Sequence, residues 1–382
     1  MLSKEVMILV QMSLKYFQLN WKKIIFFLVG GLVLCLAVYH DAELYHQPIG
    51  EVIQVKSLKK TSVTDNFNNH DVSQEQRLKV KILNGKSRNH IIYLKNNFST
   101  SEAASLAYHS GEQLFLKLHQ HQSKNQSVII TGLKRDTMMV FLCWLTIFLL
   151  SIIVGIQSYR MLFSIILNLV LFFLAIKIDV ITDAQNVIFI FAILAIAFLA
   201  ITEFLVFGKG RQFLVCFSAT FLGTGISLII AITVLLLTHE NGLNFEMMSY
   251  VTQERLPLYL AGCIIGSLGA VMDLATDITS GLFILAEKNS AMTFKDFWHS
   301  GQNIGKTVLG SLINVLLLIF ISSVFPLAVL FIRNGNNWNY LFPMLLSLGI
   351  VQSLISGIGI ALTIPLTSTL TGLVLRKEVS HE

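Results

Sequence analysis

Apolar and polar positions divide the chain into two kinds of segment. Apolar runs occupy residues 24–39, 137–157, 161–178, 187–207, 213–237, 256–288, 304–332 and 340–375, and several reach the roughly 20 residues that a bilayer crossing needs. They predict about eight transmembrane helices. Between the first and second runs the pattern changes. Hydrophobic density falls over residues 40–136, and β-like runs occur at 51–57, 77–83, 90–95, 113–118 and 127–133. Turn signals at Asn84-Gly85-Lys86 and Ser110-Gly111-Glu112 separate some of them. Five short strands there predict a small OB-like or SH3-like barrel. The expected fold is a polytopic α-helical membrane protein with a small extracytoplasmic β-rich domain inserted after helix 1. Its divisions are 1–39 (N-terminus and first helix), 40–136 (β-rich domain) and 137–382 (a seven-helix bundle).

The run at 256–288 is unlike the others. At 100° per residue, Gly262, Gly266, Gly269, Asp273, Thr276, Asp277 and Ser280 fall on one face about 100° wide. Ile264, Leu268, Val271, Ala275, Ile278 and Leu282 fall on the opposite face. A side that is small and polar does not suit lipid, so it is expected to press against other helices or a watery cavity. Two later helices carry similar stripes. Asn303, Lys306, Thr307, Gly310 and Asn314 share a face in the seventh, and Gln352, Ser356, Gly359, Thr363 and Thr367 share one in the eighth. Pro365 is expected to kink or break that last helix. Gly262-x-x-x-Gly266 and Gly301-x-x-x-Gly305 have close-packing spacing, with Gly269 and Gly310 continuing the small faces.

Lys306 is the natural partner for the aspartates, since intramembrane charges usually pair. Three readings stand side by side. Asp277 and Lys306 form a structural ion pair while Asp273 caps a broken helix. Alternatively, the aspartates form a proton- or cation-linked transport site, or the face docks a partner. Glu203, near the end of its span, is expected to snorkel toward Lys209 or Arg211.

Composition agrees with a membrane protein: 54% of residues are hydrophobic and only 13% charged, against roughly 25% charged in soluble domains. The net charge of +6 fits loop lysines and arginines better than a nucleic-acid footprint, so no nucleic-acid partner is expected and the bilayer is the partner implied. Placing the N-terminus inside puts Arg160, Lys209, Arg211, residues 288–295, Arg376 and Lys377 inside too, which predicts cytoplasmic N- and C-termini and residues 40–136 outside. No small-x-small site precedes Tyr39, so the first helix is expected to stay uncleaved. Residues 293–302, with Phe294, Phe297 and Trp298, read as an interfacial helix. Cys35, Cys143, Cys216 and Cys263 all lie in apolar runs, with no disulfide or metal framework. His119-Gln120-His121 reads as a solvated strand face rather than a metal pair. No Walker A, G-x-S-x-G or H-E-x-x-H sequence occurs, so no enzyme, cofactor or metal site is expected.

The run from Gly266 to Asp273 (G-S-L-G-A-V-M-D), the run Phe294-Lys-Asp-Phe-Trp298, and Ser300-Gly-Gln-Asn-Ile-Gly305 resemble the YibE/F-like family of bacterial multi-span membrane proteins. The order of a first helix, a β-rich segment and a helical bundle also looks like that family. The resemblance implies a bacterial plasma membrane, most often Gram-positive; a second membrane protein of the same family is a candidate partner. Family members often carry Arg where this chain has Lys306, which keeps the charge but loses the fork geometry. Two functions are expected from the whole: a transporter or permease component using the polar seam, or a non-transporting scaffold or sensor whose β domain binds a partner or envelope ligand. The substrate is not named by the sequence.

Overall fold

The computed structural model describes residue 21 and residues 24–64, 70–102, 105–119, 127–155, 157–182, 186–248, 255–289 and 292–379. The chain divides into two compact units, residues 1–158 and 159–382. His121 and the four lysines before residue 24 lie outside the described residues.

The first unit begins with α1 (Ile24–Tyr39). Five strands follow: β1 (Ile49–Thr64), β2 (His70–Ile82), β3 (Ile91–Ser99), β4 (Gln113–His119) and β5 (Ser127–Leu133). They form one antiparallel sheet in the order β3-β2-β1-β4-β5. That order has the neighbours of an OB-type barrel, with no β3–β5 pairing among the described residues; the long β1 pairs with β2 along its length and, among those residues, with β4 at Ile49–Glu51. Alternate residues point inward, and Val52, Leu78, Val80, Ile82, Leu94, Leu114 and Leu116 make the sheet's core with Tyr108. Leu133 leads directly into α2 (Asp136–Ile153). α1 packs on α2 where Gly31 leaves room for the Trp144 indole, a spot in which any Cβ would overlap the ring.

Two polar hubs fix the sheet to its helices. Asn84 is buried; its Oδ1 accepts from the Ile49 amide at 2.7 Å, and its Nδ2 donates to the carbonyls of Ala42, Tyr45 and Gln47 at 2.7–3.0 Å. The segment from α1 into β1 is thereby held against the β2–β3 turn. Lys134, between β5 and α2, is the second hub. Its side chain is 1% exposed, with Nζ 2.7 Å from Asp41, 3.5 Å from Asp136 and 2.8 Å from the Val38 carbonyl. The Tyr45 ring lies 5.5 Å from that ammonium, and its hydroxyl donates to Asp136. That hydrogen bond, followed by burial and the nearby carboxylates, pushes the Tyr45 phenol up to about 12.

The second unit holds α3 (Gln157–Ile181), α4 (Val187–Phe207), α5 (Arg211–Leu237), α6 (Arg255–Lys288), α7 (Phe294–Arg333), the short α8 (Trp338–Leu341) and α9 (Ser347–Val379). Among the described residues seven helices are long and apolar enough to span a bilayer, and α1 is a shorter apolar eighth. α6 is the hub, packing on α4, α5, α7 and α9. Three expectations change. No separate interfacial helix occurs at 293–302: a capping box between Thr293 and Asp296 starts α7, which then runs unbroken for 40 residues, about 60 Å and so longer than the hydrocarbon core. α9 continues through Pro365 without a break, and the interruption comes instead at a single π turn over Phe342–Leu346. Glu203 does not reach toward Lys209 or Arg211, because it is turned into the bundle and 1% exposed.

Candidate functional site: a polar face and a buried carboxylate within the helices

The two faces of α6 are used in the opposite sense to the one its composition suggests. The apolar face is packed: Val271, Leu274, Ile278 and Leu282 join Ile360 and Ile364 of α9 and Phe297 of α7 in one core. The small, polar face is uncovered. Gly262, Gly266, Gly269, Asp273 and Asp277 are all exposed within this chain, at the spacing of one continuous helical stripe. Ser280 is half-buried. The physical reason is volume. Leucine and isoleucine fill the gaps among α5, α7 and α9, whereas glycine and aspartate cannot contribute to an apolar core without leaving holes or stranded charge.

The face on α7 is exposed in the same way. Asn303, Lys306, Thr307, Gly310 and Asn314 all reach the surface of the unit. Among the described residues no ion pair within 4.0 Å joins Lys306 to Asp273 or Asp277. Helical phase explains this. Ile304 is the residue that meets α6, at Gly281, and Lys306 is turned about 200° from it around the helix axis.

On α9, Gln352 reaches α6: its amide nitrogen lies 3.5 Å from the Gly262 carbonyl, the outer limit of a hydrogen bond. Ser356 is buried and donates to the Gln352 carbonyl at 3.0 Å. Gly301 and Gly305 do act as packing positions, since a Cβ there would fall 2.3 Å from Ser368 Oγ and 2.7 Å from Ile364. Gly266 is filled against the Gln352 amide in the same manner. Gly262, Gly269 and Gly310 are not packing positions within this chain, because nothing lies within 4 Å of a Cβ placed there.

Thr276 is the residue that connects this face to the interior. Its hydroxyl donates to Glu203 Oε1 of α4 at 3.2 Å and lies 3.5 Å from Cys216 Sγ of α5. Thr220, one turn along α5 from Cys216, is fully buried. Glu203 Oε2 and Thr220 Oγ1 both lack a hydrogen-bond partner. The sequence marks Thr220 of α5 and Glu203 of α4 as polar positions in apolar spans but does not bring them together with Cys216 and Thr276. The available signal is a lone acid in a helix whose other polar side chain is Thr202, but α4 has almost no polar face to say which way that acid points.

Residues 142–377 match the family described as YibE/F-like protein, and residues 43–133 match the YibE/F family N-terminal domain. No curated relative and no solved structure matches the chain. The two matches cover the sheet and nearly all of the helices after it, in the order the fold displays. This integral membrane chain belongs to the YibE/F-like family.

Proposed function

We propose that the chain is a non-enzymatic transport component of the bacterial plasma membrane. The uncovered face of α6 lines a polar path, and a second protein of the same family or water completes its far wall. One observation carries this reading: Asp273 and Asp277 stand on the exposed side of a helix long and apolar enough to span the bilayer. A carboxylate facing acyl chains at mid-bilayer costs several kcal/mol, so that face must meet water or protein. The distribution of lysine and arginine supports cytoplasmic termini and a β domain on the outer side. The test uses the full chain in vesicles, with an internal pH-sensitive dye and imposed proton and sodium gradients. Flux is expected with the natural chain and is expected to be lost in Asp273→Asn and Asp277→Asn. Flux that persists in both variants refutes the assignment.

One observation favours a scaffold or sensor role instead. Within the first unit an apolar groove of about 820 Å³ runs from Cys35 and Tyr39 of α1 past Glu112 to Met138 and Leu142 of α2. An envelope ligand held there would make the β domain indispensable. Under that reading, deleting residues 45–130 abolishes function and neutralising the two aspartates does not.

A further inference from the structure

We propose that Glu203 is the ligand of one monovalent cation, a proton or an alkali-metal ion, held among α4, α5 and α6. Glu203 is 1% exposed, and its Oε1 accepts from the Thr276 hydroxyl. Oε2 is buried without a partner, as is the hydroxyl of Thr220 on the neighbouring helix. Among the described residues no lysine, arginine or histidine pairs with Glu203. Neither of the other ionisable groups around it carries a positive charge. The Cys216 thiol of α5 stands 3.5 Å from the same Thr276 hydroxyl, and Asp273 lies one turn before Thr276 on α6. On α3 the groups that approach this part of α4 are neutral, with Ser164 and Asn168 both bonding Thr202.

A carboxylate withdrawn from water without a positive charge costs several kcal/mol. Side chains supply none here, so the charge comes from solution. The donors available are a carboxylate and threonine hydroxyls, hard oxygens suited to a hard cation. Asp273 is exposed and Glu203 is the buried carboxylate, so a single positive charge balances what is withdrawn from water. No group of three or more His, Cys, Asp or Glu able to hold a metal ion occurs among the described residues, so the donor set does not suit a divalent or transition metal. A cavity of about 280 Å³ between α4, α5 and α6 is lined by Leu199, Phe221, Thr224, Ile264 and Leu268. Leu199 is one turn from Glu203, and Thr224 is one turn from Thr220. The assignment does not depend on transport, since a resident ion would serve a non-transporting membrane protein equally.

Dicyclohexylcarbodiimide, an apolar reagent that modifies protonated carboxyl groups, tests this on the full chain in detergent. Labelling is mapped by mass spectrometry of the peptides carrying Glu203 and those carrying Asp273 and Asp277. Glu203 is expected to label, faster at acid than at alkaline pH, and Glu203→Gln is expected to lose that label while the α6 peptide keeps its own. Sodium at ten times its dissociation constant slows Glu203 labelling about tenfold if an alkali ion is the ligand. Acid-promoted labelling indifferent to sodium and potassium chloride assigns the site to the proton. A Glu203 peptide that stays unlabelled at every pH, or labels at a rate indifferent to both pH and salt, overturns the proposal. The natural chain alone can deliver that refutation, so a Glu203→Gln protein that fails to fold does not protect it. Loss of vesicle flux with intact labelling would discard the transport reading and leave this one standing.

Discussion

Replacing Lys134 by methionine keeps much of the side chain's length and removes only its charge. In the native chain that ammonium lies 2.7 Å from Asp41 and 3.5 Å from Asp136 and donates to the Val38 carbonyl. The variant leaves two carboxylates facing each other with no cation between them. Breaking a buried ion pair from one side costs about 3–5 kcal/mol. Asp41 and Asp136 are 15% and 23% exposed and can still be partly solvated, which places the expected loss near the lower end, about 3 kcal/mol. The sheet's own core is separate from this cluster, so the strands persist while the β5–α2 junction opens. At about 1.4 kcal/mol per tenfold, the open population rises about a hundredfold. Amide exchange reads this directly, because the Lys134 amide donates to the Gln113 carbonyl at 2.8 Å in the closed form. Exchange at residues 133–136 should accelerate by that factor in Lys134→Met. Adding Asp41→Asn should recover part of it, since one of the stranded charges is then removed. Exchange that accelerates less than about tenfold, or a double variant no better than the single one, refutes the reasoning.

The glycines give a contrast within one protein. Gly305→Val forces atoms into Ile364 and should destabilise the chain by about 1–3 kcal/mol, read as a fall in melting temperature in detergent. Gly269→Ala meets open space and should raise helix stability by about 0.5–1 kcal/mol; a fall in melting temperature in vesicles but not in detergent would instead reveal a partner packed on that face. Tyr45 makes an alkaline prediction. Its folded value, about 12 against the ordinary 10, means that its contribution is complete below pH 10 and is lost as pH rises through 12. Discounted for partial exposure, the contribution is about 1 kcal/mol. Tyr45→Phe should therefore flatten the stability profile across that interval, as followed by amide exchange at the same junction.

What the sequence makes legible follows from which physical signal each feature leaves. Spans and strands announce themselves through apolar period, and the five strand positions agree with the sheet. β1 and β2 run further than expected, to Thr64 and back from His70, because their outer halves form a ladder of backbone hydrogen bonds in which the β1 side chains are mostly exposed and the β2 side chains at best half-buried. A ribbon without a buried face carries no alternation to read. The stripe on α6 is likewise visible, but whether a stripe is covered depends on neighbouring volumes. Leu274 and Ile278 take the interior by filling it, and Asp273 and Asp277 are left outside. Lys306 lies on the expected helix at a plausible depth and fails as a partner through rotation alone. Glu203 departs from expectation for a related reason: its nearest charges in sequence lie beyond the helix end, whereas the hydroxyl that bonds it, that of Thr276, belongs to α6.

Asn84 is followed by Gly85, the dipeptide in which the next backbone nitrogen most readily attacks the side-chain amide and expels ammonia. In the folded chain that carboxamide is committed on both sides, to the Ile49 amide through oxygen and to three carbonyls through nitrogen. Rotation toward Gly85 would break all of these bonds. The same contacts that shape the junction therefore protect it from chemical ageing. Should conversion to an acid occur during a transient opening, the new carboxylate could no longer donate to Ala42, Tyr45 and Gln47, and reclosure would set it against three lone-pair-bearing oxygens. Each opening thus risks becoming permanent, and the junction would carry a record of how often it had opened.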